Sequence, residues 1–511
     1  MKRTLSLILA VLLVSTFVSC GKTEPSETNA PETKAPETQA IETNAPATDP
    51  VATDAPETAA PAPEYAYDTS LVTENGIAKA HIVLSDTASD NEKTAATELA
   101  YHIKLVSGAD MTVTNAAQDD SLPIIIATPD SMPELETLFP EDLAWLRTLE
   151  EDNGAGDTRN WSPYGFAIRA HEGKIYIFGA HGIGAMNGVY DFIEENLDVI
   201  WVGATDAGII YDEMPTITVV KTDYREKSPF SISAGSYGAT MFRRNKMSND
   251  ILRQGQEHNS KTFVMSSPLY DPNITEYWER DSNGITLDPG YTKANGESAA
   301  GESLQINFWS ELTADAVAAT VLAKLDAASQ TRLPDFFSVG PEDEPKPRVY
   351  PECTQPFEYA PGQFVQPGDA DYLSTVYFSF YNRVARQVKE KYPTVTLNVL
   401  TFNWSLLPPR CELEDNISIW FCPYMDDYNI DSYEIALELE QEGYTSPASE
   451  FAHALMLWNE KFPKTDVIIY EYYFCNQTQG WYERPLWYKI QNDLQDFAEW
   501  GYLGTDRKSV V

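Results

Sequence analysis

The sequence is poor in histidine, cysteine and positive charge. Its 511 residues include six His and five Cys, and 77 Asp and Glu stand against 36 Lys and Arg, giving a net charge of −41. A field of that sign repels phosphate backbones, so we expect no nucleic-acid partner. The absence of any C-x-x-C pair or H-E-x-x-H motif argues against a zinc site, and we predict neither a metal nor a cofactor.

The first twenty residues are predicted to be a targeting segment. Lys2 and Arg3 precede an apolar run that is short for a membrane span. The run ends at FVSCGK, which resembles the lipobox of bacterial lipoproteins, with Phe17 where leucine is usual. We therefore predict a lipoprotein signal peptide over 1–20 and acylation of Cys20, with a plain secretory signal as the alternative. The expected location is extracellular, and the lipid anchor is the only predicted contact with the bacterial cell membrane.

Residues 21–66 change composition abruptly. The stretch NAPETKAPETQAIETNAPATDP continues as a degenerate Ala-Pro-Glu-Thr repeat with almost no large apolar residues. Such a segment has too little apolar surface to form a core, so we predict a disordered or polyproline-like tether. At about 3.1 Å per residue it could hold a domain on the order of 100 Å from the membrane.

Residues 67–223 have the pattern of a small mixed-sheet α/β domain. KAHIVLS and SLPIIIAT are predicted strands, and YGFAIRAHEGKIYIFGA is a predicted hairpin around HEGK. A helix with Asp90 as its N-cap is predicted between the first two strands. A second helix opens with GAHGIGAMNG, a near-match to a dinucleotide-binding fingerprint in which Gly188 comes one residue late. We favour the alternative that these glycines allow close packing of helix on strand.

Two stretches of this domain carry a family resemblance. HIVLSDTASDNEKTAATELAYHIKLVSG and IYIFGAHGIGAMNGVYDFIEENLDVIWV resemble the N-terminal domain shared by α-glucuronidases and β-hexosaminidase-type glycoside hydrolases. In those proteins the domain precedes a (β/α)8 catalytic barrel, so the resemblance implies such a barrel in the residues that follow.

Residues 229–511 alternate apolar runs with helical stretches, as a TIM-type (β/α)8 barrel does. The order of these runs, with MFRRNKM and HNSKTF, resembles the domain of unknown function 4838 family, whose members are related to glycoside hydrolases. The chain stops where an eighth strand is expected, so we predict a barrel truncated at its C-terminus. The predicted strands are FSISAG (230–235), TFVMS (262–266), FFSVG (336–340), TLNVLTF (396–402), ISIWFC (417–422), DVIIYEYYF (466–474) and GYLGTD (from 501).

The resemblance implies hydrolysis of a glycosidic bond, which uses one protonated and one ionised carboxyl group. In a barrel these groups lie at the carboxyl ends of strands. FSVGPEDEPK supplies Glu342, Asp343 and Glu344 directly after a predicted strand, and Glu471 lies inside an otherwise apolar and aromatic strand. We predict that these four are the catalytic candidates. The alternatives are a solvated surface loop for the triplet, and a salt bridge or a helix-facing side chain for Glu471.

Other polar and aromatic residues near strand ends are predicted to bind the carbohydrate substrate. Aromatic faces stack on sugar rings, amides bond hydroxyl groups, and arginine pairs with carboxylates. An alternative role for Arg244 is to neutralise the acidic turn, and Asp426 offers a further carboxyl group. The predicted substrate-binding residues are Arg244, His258, Asn403, Trp404, Tyr424 and Tyr472.

Three functions fit these features. The first is a cell-surface glycoside hydrolase that cleaves a polysaccharide or oligosaccharide by carboxylate acid/base catalysis. The second is a non-catalytic glycan-binding lipoprotein, and the third is a structural module of the cell surface. A Glu471 that faces the surrounding helices would favour binding over hydrolysis.

Overall fold

The computed structural model describes residues 65–147, 164–235, 239–247, 253–255, 258–287, 305–343, 346–424, 426–473 and 486–507, which belong to one compact unit. The predicted signal peptide with Cys20, most of the predicted tether, and Glu344 lie outside the described residues. Within the described ranges, no helix is long and apolar enough to cross a membrane.

The first part of the chain is built on a six-stranded mixed sheet of order β11-β6-β7-β5-β3-β4. Its strands β3, β4, β5 and β7 run parallel, whereas β6 is antiparallel to both of its neighbours. The elements are β1 (Leu71–Glu74), β2 (Ile77–Ala78), β3 (Ala80–Leu84), α1 (Asp90–Ser107), β4 (Val113–Thr114), β5 (Leu122–Ala127), α2 (Leu135–Leu138), α3 (Pro140–Arg147), β6 (Phe166–His171), β7 (Lys174–Gly179), α4 (Gly182–Leu197), β8 (Ile200–Trp201), β9 (Ile209–Ile210), β10 (Ile217–Thr218) and β11 (Asp223–Glu226).

The glycines at the start of α4 serve packing. A side chain added at Gly188 would come within 2.9 Å of Ile177 and 3.1 Å of Phe166, so only glycine allows the helix to lie this close to the sheet. This confirms the packing interpretation of GAHGIGAMNG. Helix α1 is capped by Ser89 rather than by Asp90, because Glu92 completes a capping box with Ser89 and accepts its N–H at 2.7 Å.

The second part of the chain is built on a seven-stranded, fully parallel sheet of order β12-β22-β21-β20-β19-β16-β13. Its elements, with two short hairpins, are β12 (Ile232–Gly235), α5 (Ala239–Arg244), β13 (Arg253–Gly255), α6 (Ser260–Met265), β14 (Glu279–Arg280), β15 (Thr286–Leu287), α7 (Glu311–Ala328), β16 (Phe336–Val339), β17 (Phe357–Ala360), β18 (Gln363–Val365), α8 (Tyr372–Lys391), β19 (Thr396–Thr401), β20 (Ile417–Phe421), α9 (Tyr433–Gln441), α10 (Pro447–Lys461), β21 (Val467–Glu471), α11 (Trp487–Glu499) and β22 (Gly504–Arg507).

The strand order agrees with the sequence-based expectation except at one element. Six of the seven predicted strands form. TFVMS instead lies mostly in helix α6, and β13 takes its expected place beside β16 in the sheet. Within this sheet, each strand from β13 to β22 pairs with the strand of the same sheet that follows it in the chain, and β22 also pairs with β12. Among the described residues no pairing joins β12 to β13, so a mixed α/β fold is confirmed and a closed barrel is not.

The two faces of the parallel sheet belong to different apolar clusters, because side chains alternate along a strand. Phe336, Leu400, Trp420 and Ile468 pack together on one face. The other face packs against the helices, and it includes Ile419 and the β21 residues at 467 and 469. Glu471 has the same parity as these two β21 residues, which places it on the helix-facing side.

Candidate functional site

The carboxyl ends of the parallel strands meet at one edge of the sheet, here called the carboxyl edge. Asp343 follows β16, Asn403 follows β19, Tyr424 follows β20 and Tyr472 follows β21. The rings of Tyr424 and Tyr472 meet edge to face with their centroids 5.4 Å apart. Asn403 is exposed with a left-handed φ of 49°, Tyr424 is half-buried and Tyr472 is buried. This edge therefore combines a carboxyl group, an amide and aromatic rings.

The acidic turn separates its carboxyl groups. Glu342 is buried, and its Oε1 accepts the backbone N–H of Lys261 at 2.7 Å. Burial raises the pKa of Glu342, an effect that this hydrogen bond opposes. Asp343 is exposed to solvent. Of the two acids of this turn that the structure describes, Glu342 is thus an internal anchor and Asp343 is accessible to solvent.

His258 lies against the same turn. Its Nδ1 is 2.9 Å from the carbonyl oxygen of Pro341, and because a carbonyl only accepts, Nδ1 carries a proton. The half-buried ring meets Phe402 edge to face at 5.7 Å, and its backbone is left-handed with φ of 52°.

Glu471 belongs to a buried polar network on the helix-facing side of the sheet. Only 1% of the residue is exposed, its Oε1 accepts the hydroxyl of Tyr433 in α9 at 3.0 Å, and its Oε2 accepts the N–H of Tyr472 at 3.0 Å. The carboxyl oxygens of Glu471, Asp426 and Asp493 lie within 4.8 Å of one another. The helix-facing alternative therefore describes its position.

A lysine supplies positive charge to these three acids. The Nζ of Lys489, itself 1% exposed, lies 3.0 Å from Asp426 and 3.1 Å from Asp493. Burial by itself would lower the pKa of Lys489, but the neighbouring carboxylates raise it. One ammonium cannot balance three carboxylates, and burial followed by repulsion from Asp426 and Asp493 holds the pKa of Glu471 well above its ordinary value. The network therefore favours the protonated form of Glu471.

The thiol of Cys422 lies within electrostatic range of carboxyl groups from two regions, the acidic turn and the end of β21. Its thiol is buried directly after β20, and burial raises its pKa, with further contributions from Glu471 and from Asp343. Both carboxyl groups therefore act electrostatically on one thiol. They do so from different settings, since Asp343 is exposed and Glu471 is enclosed.

A cavity of about 560 Å³ borders the buried network. Glu471 and Tyr473 form part of its wall, and the hydroxyl of Tyr473 donates to Asp493 at 2.9 Å. The remaining wall mixes apolar with polar and charged residues and comes from both sheet regions and the segment between them. It includes Phe166, Trp201, Phe230 and Met241 as well as Glu226, Lys227 and Lys246.

Two predicted substrate-binding residues lie in other environments. Trp404 is 8% exposed and packs edge to face on Tyr377 at 5.3 Å in the helix-facing core. An indole covered in this way cannot stack on a sugar, which corrects its prediction as a platform. Arg244 is buried with its Nε 3.6 Å from the carboxylate of Glu98 in α1, so the ion pair that the structure gives it is not with the acidic turn.

Sequence reasoning missed several polar residues around the site. Glu279 is fully buried, and burial raises its pKa to about 7. Gln305, also fully buried, bonds the backbone of the acidic turn. Lys489 and Asp493 are four residues apart in helix α11, a spacing that indicates an ion pair but not its burial.

The family is established by comparison with known proteins. Residues 217–510 match the model of the domain of unknown function DUF4838, so the chain belongs to that family, as the sequence predicts. No curated protein matches the sequence.

Solved structures with a loosely similar arrangement include several glycoside hydrolases. The Streptomyces plicatus N-acetyl-β-hexosaminidase is 11% identical with a TM-score of 0.36, over 86% of this chain and 83% of that one. The GH115 4-O-methyl-α-glucuronidase BtGH115A is 12% identical with a TM-score of 0.38, over 86% and 55%. For CpGH84B the values are 12%, 0.34, 86% and 65%. The chain thus spans about half of the glucuronidase and less than two thirds of CpGH84B.

Proposed function

We propose that the carboxyl edge binds a carbohydrate. The observation that carries this proposal is the exposed carboxyl group of Asp343 on the same edge as the half-buried ring of Tyr424, which packs on the buried Tyr472. Carboxylates accept hydrogen bonds from sugar hydroxyls, and aromatic rings bury the C–H faces of sugars at low entropic cost. Asn403 adds an exposed amide on this edge.

Hydrolysis of a glycosidic bond is the second candidate. It requires two carboxyl groups on either side of the bond, and it is favoured by the exposed Asp343, which Glu344 follows in the sequence. Glu471 does not support this candidate, because its carboxyl group is bonded to a helix residue and enclosed with Lys489 nearby. We therefore place carbohydrate binding first.

The proposal includes the setting of this site. We retain the (β/α)8 barrel as the architecture to which the seven parallel strands belong, and acylation of Cys20 with a tether over 21–66 as the means of anchoring the chain at the cell surface. Labelling of the full chain with an alkynyl palmitate analogue in a bacterial host tests the anchor. The Cys20→Ala variant should lose the label, and a label that persists would contradict it.

The test of binding uses the full-length protein with chitotriose, cellotriose and glucuronoxylan as probes, followed by calorimetry and, for the polysaccharide, affinity electrophoresis. Asp343→Asn should weaken binding at least tenfold. Asp415→Asn is the matched control, because Asp415 is an exposed acid two residues before β20, at the end of that strand away from the carboxyl edge. Failure of the wild type to bind all three probes, or equal binding by Asp343→Asn, would contradict the proposal.

Hydrolysis is tested on the same probes and on p-nitrophenyl glycosides. If the chain hydrolyses any of them, Asp343→Asn should abolish turnover, whereas Glu471→Gln should retain it. Loss of turnover in Glu471→Gln with unchanged stability would instead assign Glu471 a catalytic role.

A further inference from the structure

The side-chain amide of Gln305 bonds both the C=O and the N–H of Glu342 in the acidic turn. The Nε2 of Gln305 donates to the carbonyl oxygen of Glu342, and the N–H of Glu342 donates to the Oε1 of Gln305 at 3.0 Å. Gln305 is fully buried. A buried amide that satisfies the backbone N–H and C=O of one residue fixes that residue against rotation and translation.

The buried carboxyl group of Glu279 connects Gln305 with Arg348. The Oε2 of Glu279 accepts the backbone N–H of Gln305 at 3.2 Å, and its Oε1 accepts the backbone N–H of Arg348 at 2.8 Å. Glu279 is fully buried. One side chain thus joins the residue that bonds Glu342 to Arg348, which lies six residues after Glu342 in the chain.

The near side of the turn is held by residues that precede or begin helix α6. Asn259 donates from Nδ2 to the carbonyl of Ser338 at 3.0 Å and accepts the N–H of Gly340 at 3.2 Å. His258 bonds the carbonyl of Pro341, and the N–H of Lys261 bonds the carboxylate of Glu342. Every residue from 340 to 342 therefore has a hydrogen bond to a neighbouring segment.

We propose that Gln305 and Glu279 are positioning residues that hold the acidic turn so that Asp343 is presented at the carboxyl edge. Asp343 is the next residue after the doubly bonded Glu342, and it is exposed while its anchored neighbour is buried. A carboxyl group recognises hydroxyls in fixed directions, so about 1 Å of movement at its Cα costs affinity. The inference rests on the proposed carbohydrate site for its functional part only.

The test compares two replacements of Gln305 in the full-length protein. Gln305→Met has a similar length and removes both hydrogen bonds. Gln305→Glu restores both when its carboxyl group is protonated, because a carboxylic acid offers one acceptor and one donor. Burial and the neighbouring Glu279 and Glu342 favour that protonated form as pH falls. The control is Asn416→Leu. Asn416 lies directly before β20, at the end of the strand away from the carboxyl edge, and its buried amide donates to the carbonyl oxygen of Ala385.

Two measurements distinguish the structural role of Gln305 in holding the turn from its effect on carbohydrate binding. Hydrogen exchange of peptides covering 338–343 should accelerate about tenfold at the amide of Glu342 in Gln305→Met, but not in Asn416→Leu. Binding of chitotriose, cellotriose or glucuronoxylan, whichever the wild type binds, should weaken at least tenfold in Gln305→Met. As pH falls from 8 to 5, Gln305→Glu should recover both slow hydrogen exchange and carbohydrate binding, whereas Gln305→Met should recover neither.

Each result decides the inference. If hydrogen exchange at 338–343 is unchanged in Gln305→Met, Gln305 does not hold the acidic turn, whatever the wild type binds. Faster exchange with unaltered binding overturns the positioning role, as does equal weakening by Asn416→Leu. If the wild type binds none of the three probes, the proposed function fails, while the exchange result still decides whether Gln305 holds the turn.

Discussion

Removal of the buried ammonium of Lys489 should destabilise the protein strongly. In Lys489→Met, the carboxyl groups of Asp426 and Asp493 lose the cation that lies 3.0 and 3.1 Å from them. Both acids are buried, so water cannot replace the lost charge. Breaking a buried ion pair by removing one partner costs about 3–5 kcal/mol. We expect a loss in this range, since the methionine fills much of the volume but none of the charge.

The pH dependence gives this prediction a second observable. The pKa values of Glu471 and Asp493 are already raised in the folded state, and without the ammonium of Lys489 they should rise further above the unfolded ones. Raised acid pKa values add stability that is present at low pH and is lost as pH rises through the folded pKa. The gap between wild type and Lys489→Met should therefore be smallest near pH 4.5 and should widen toward pH 8.

The assay is urea unfolding of the full-length protein followed by circular dichroism and tryptophan fluorescence. The double variant Lys489→Met/Asp493→Leu should regain part of the lost stability, because it removes a stranded carboxyl group along with the cation. The control is Lys104→Met, whose exposed pair with Asp110 should contribute about 0–1 kcal/mol. A loss below about 1 kcal/mol in Lys489→Met, or one that does not vary with pH, would refute this account of the network.

Three further predictions concern residues around the site. Because burial raises the pKa of Glu279 from 4.5 to about 7, its contribution to stability should fall by about 3 kcal/mol as pH rises from 4.5 to above 7; Glu279→Gln should remove this part of the urea-midpoint profile, and an unchanged profile would contradict it. Trp404→Ala should cost about 3–5 kcal/mol by opening a cavity in the core, measured by urea unfolding; a stable variant that loses carbohydrate binding would return Trp404 to the site. Asp343→Asn should change stability by less than about 0.5 kcal/mol while weakening binding in calorimetry, and a large drop in urea midpoint would show that Asp343 is structural.

The strands of the second sheet were predictable because their signal is local. Runs such as FFSVG and TLNVLTF are apolar, β-branched or aromatic over the length of a strand, and they form β16 and β19. TFVMS has the same composition, but it follows Asn259 and Ser260 and forms most of helix α6. Short apolar runs do not distinguish a strand from a buried helix turn, and tertiary packing made that choice.

The candidate site was predictable in its location and not in its assignments. The position of GPEDEP after a strand indicated the carboxyl edge, and the acids did separate into a buried Glu342 and an exposed Asp343. Which of them turns inward depends on the N–H of Lys261, 81 residues away. Likewise, the aromatic Trp404 next to a strand fits a sugar platform as well as a core, and only its neighbours Tyr377 and Phe308 distinguish the two.

The sequence by itself determined the features that depend on composition, periodicity and motif: the charge of −41, the alternation of strands and helices, and the family. The tertiary structure decided the environment of each carboxyl group. Glu471 joins Asp426, Asp493 and Lys489 in a buried network, whereas Gln305 and Glu279 hold the turn that exposes Asp343. Partners separated by tens of residues leave no local pattern, and the pKa and role of a carboxyl group follow from its burial and from those partners.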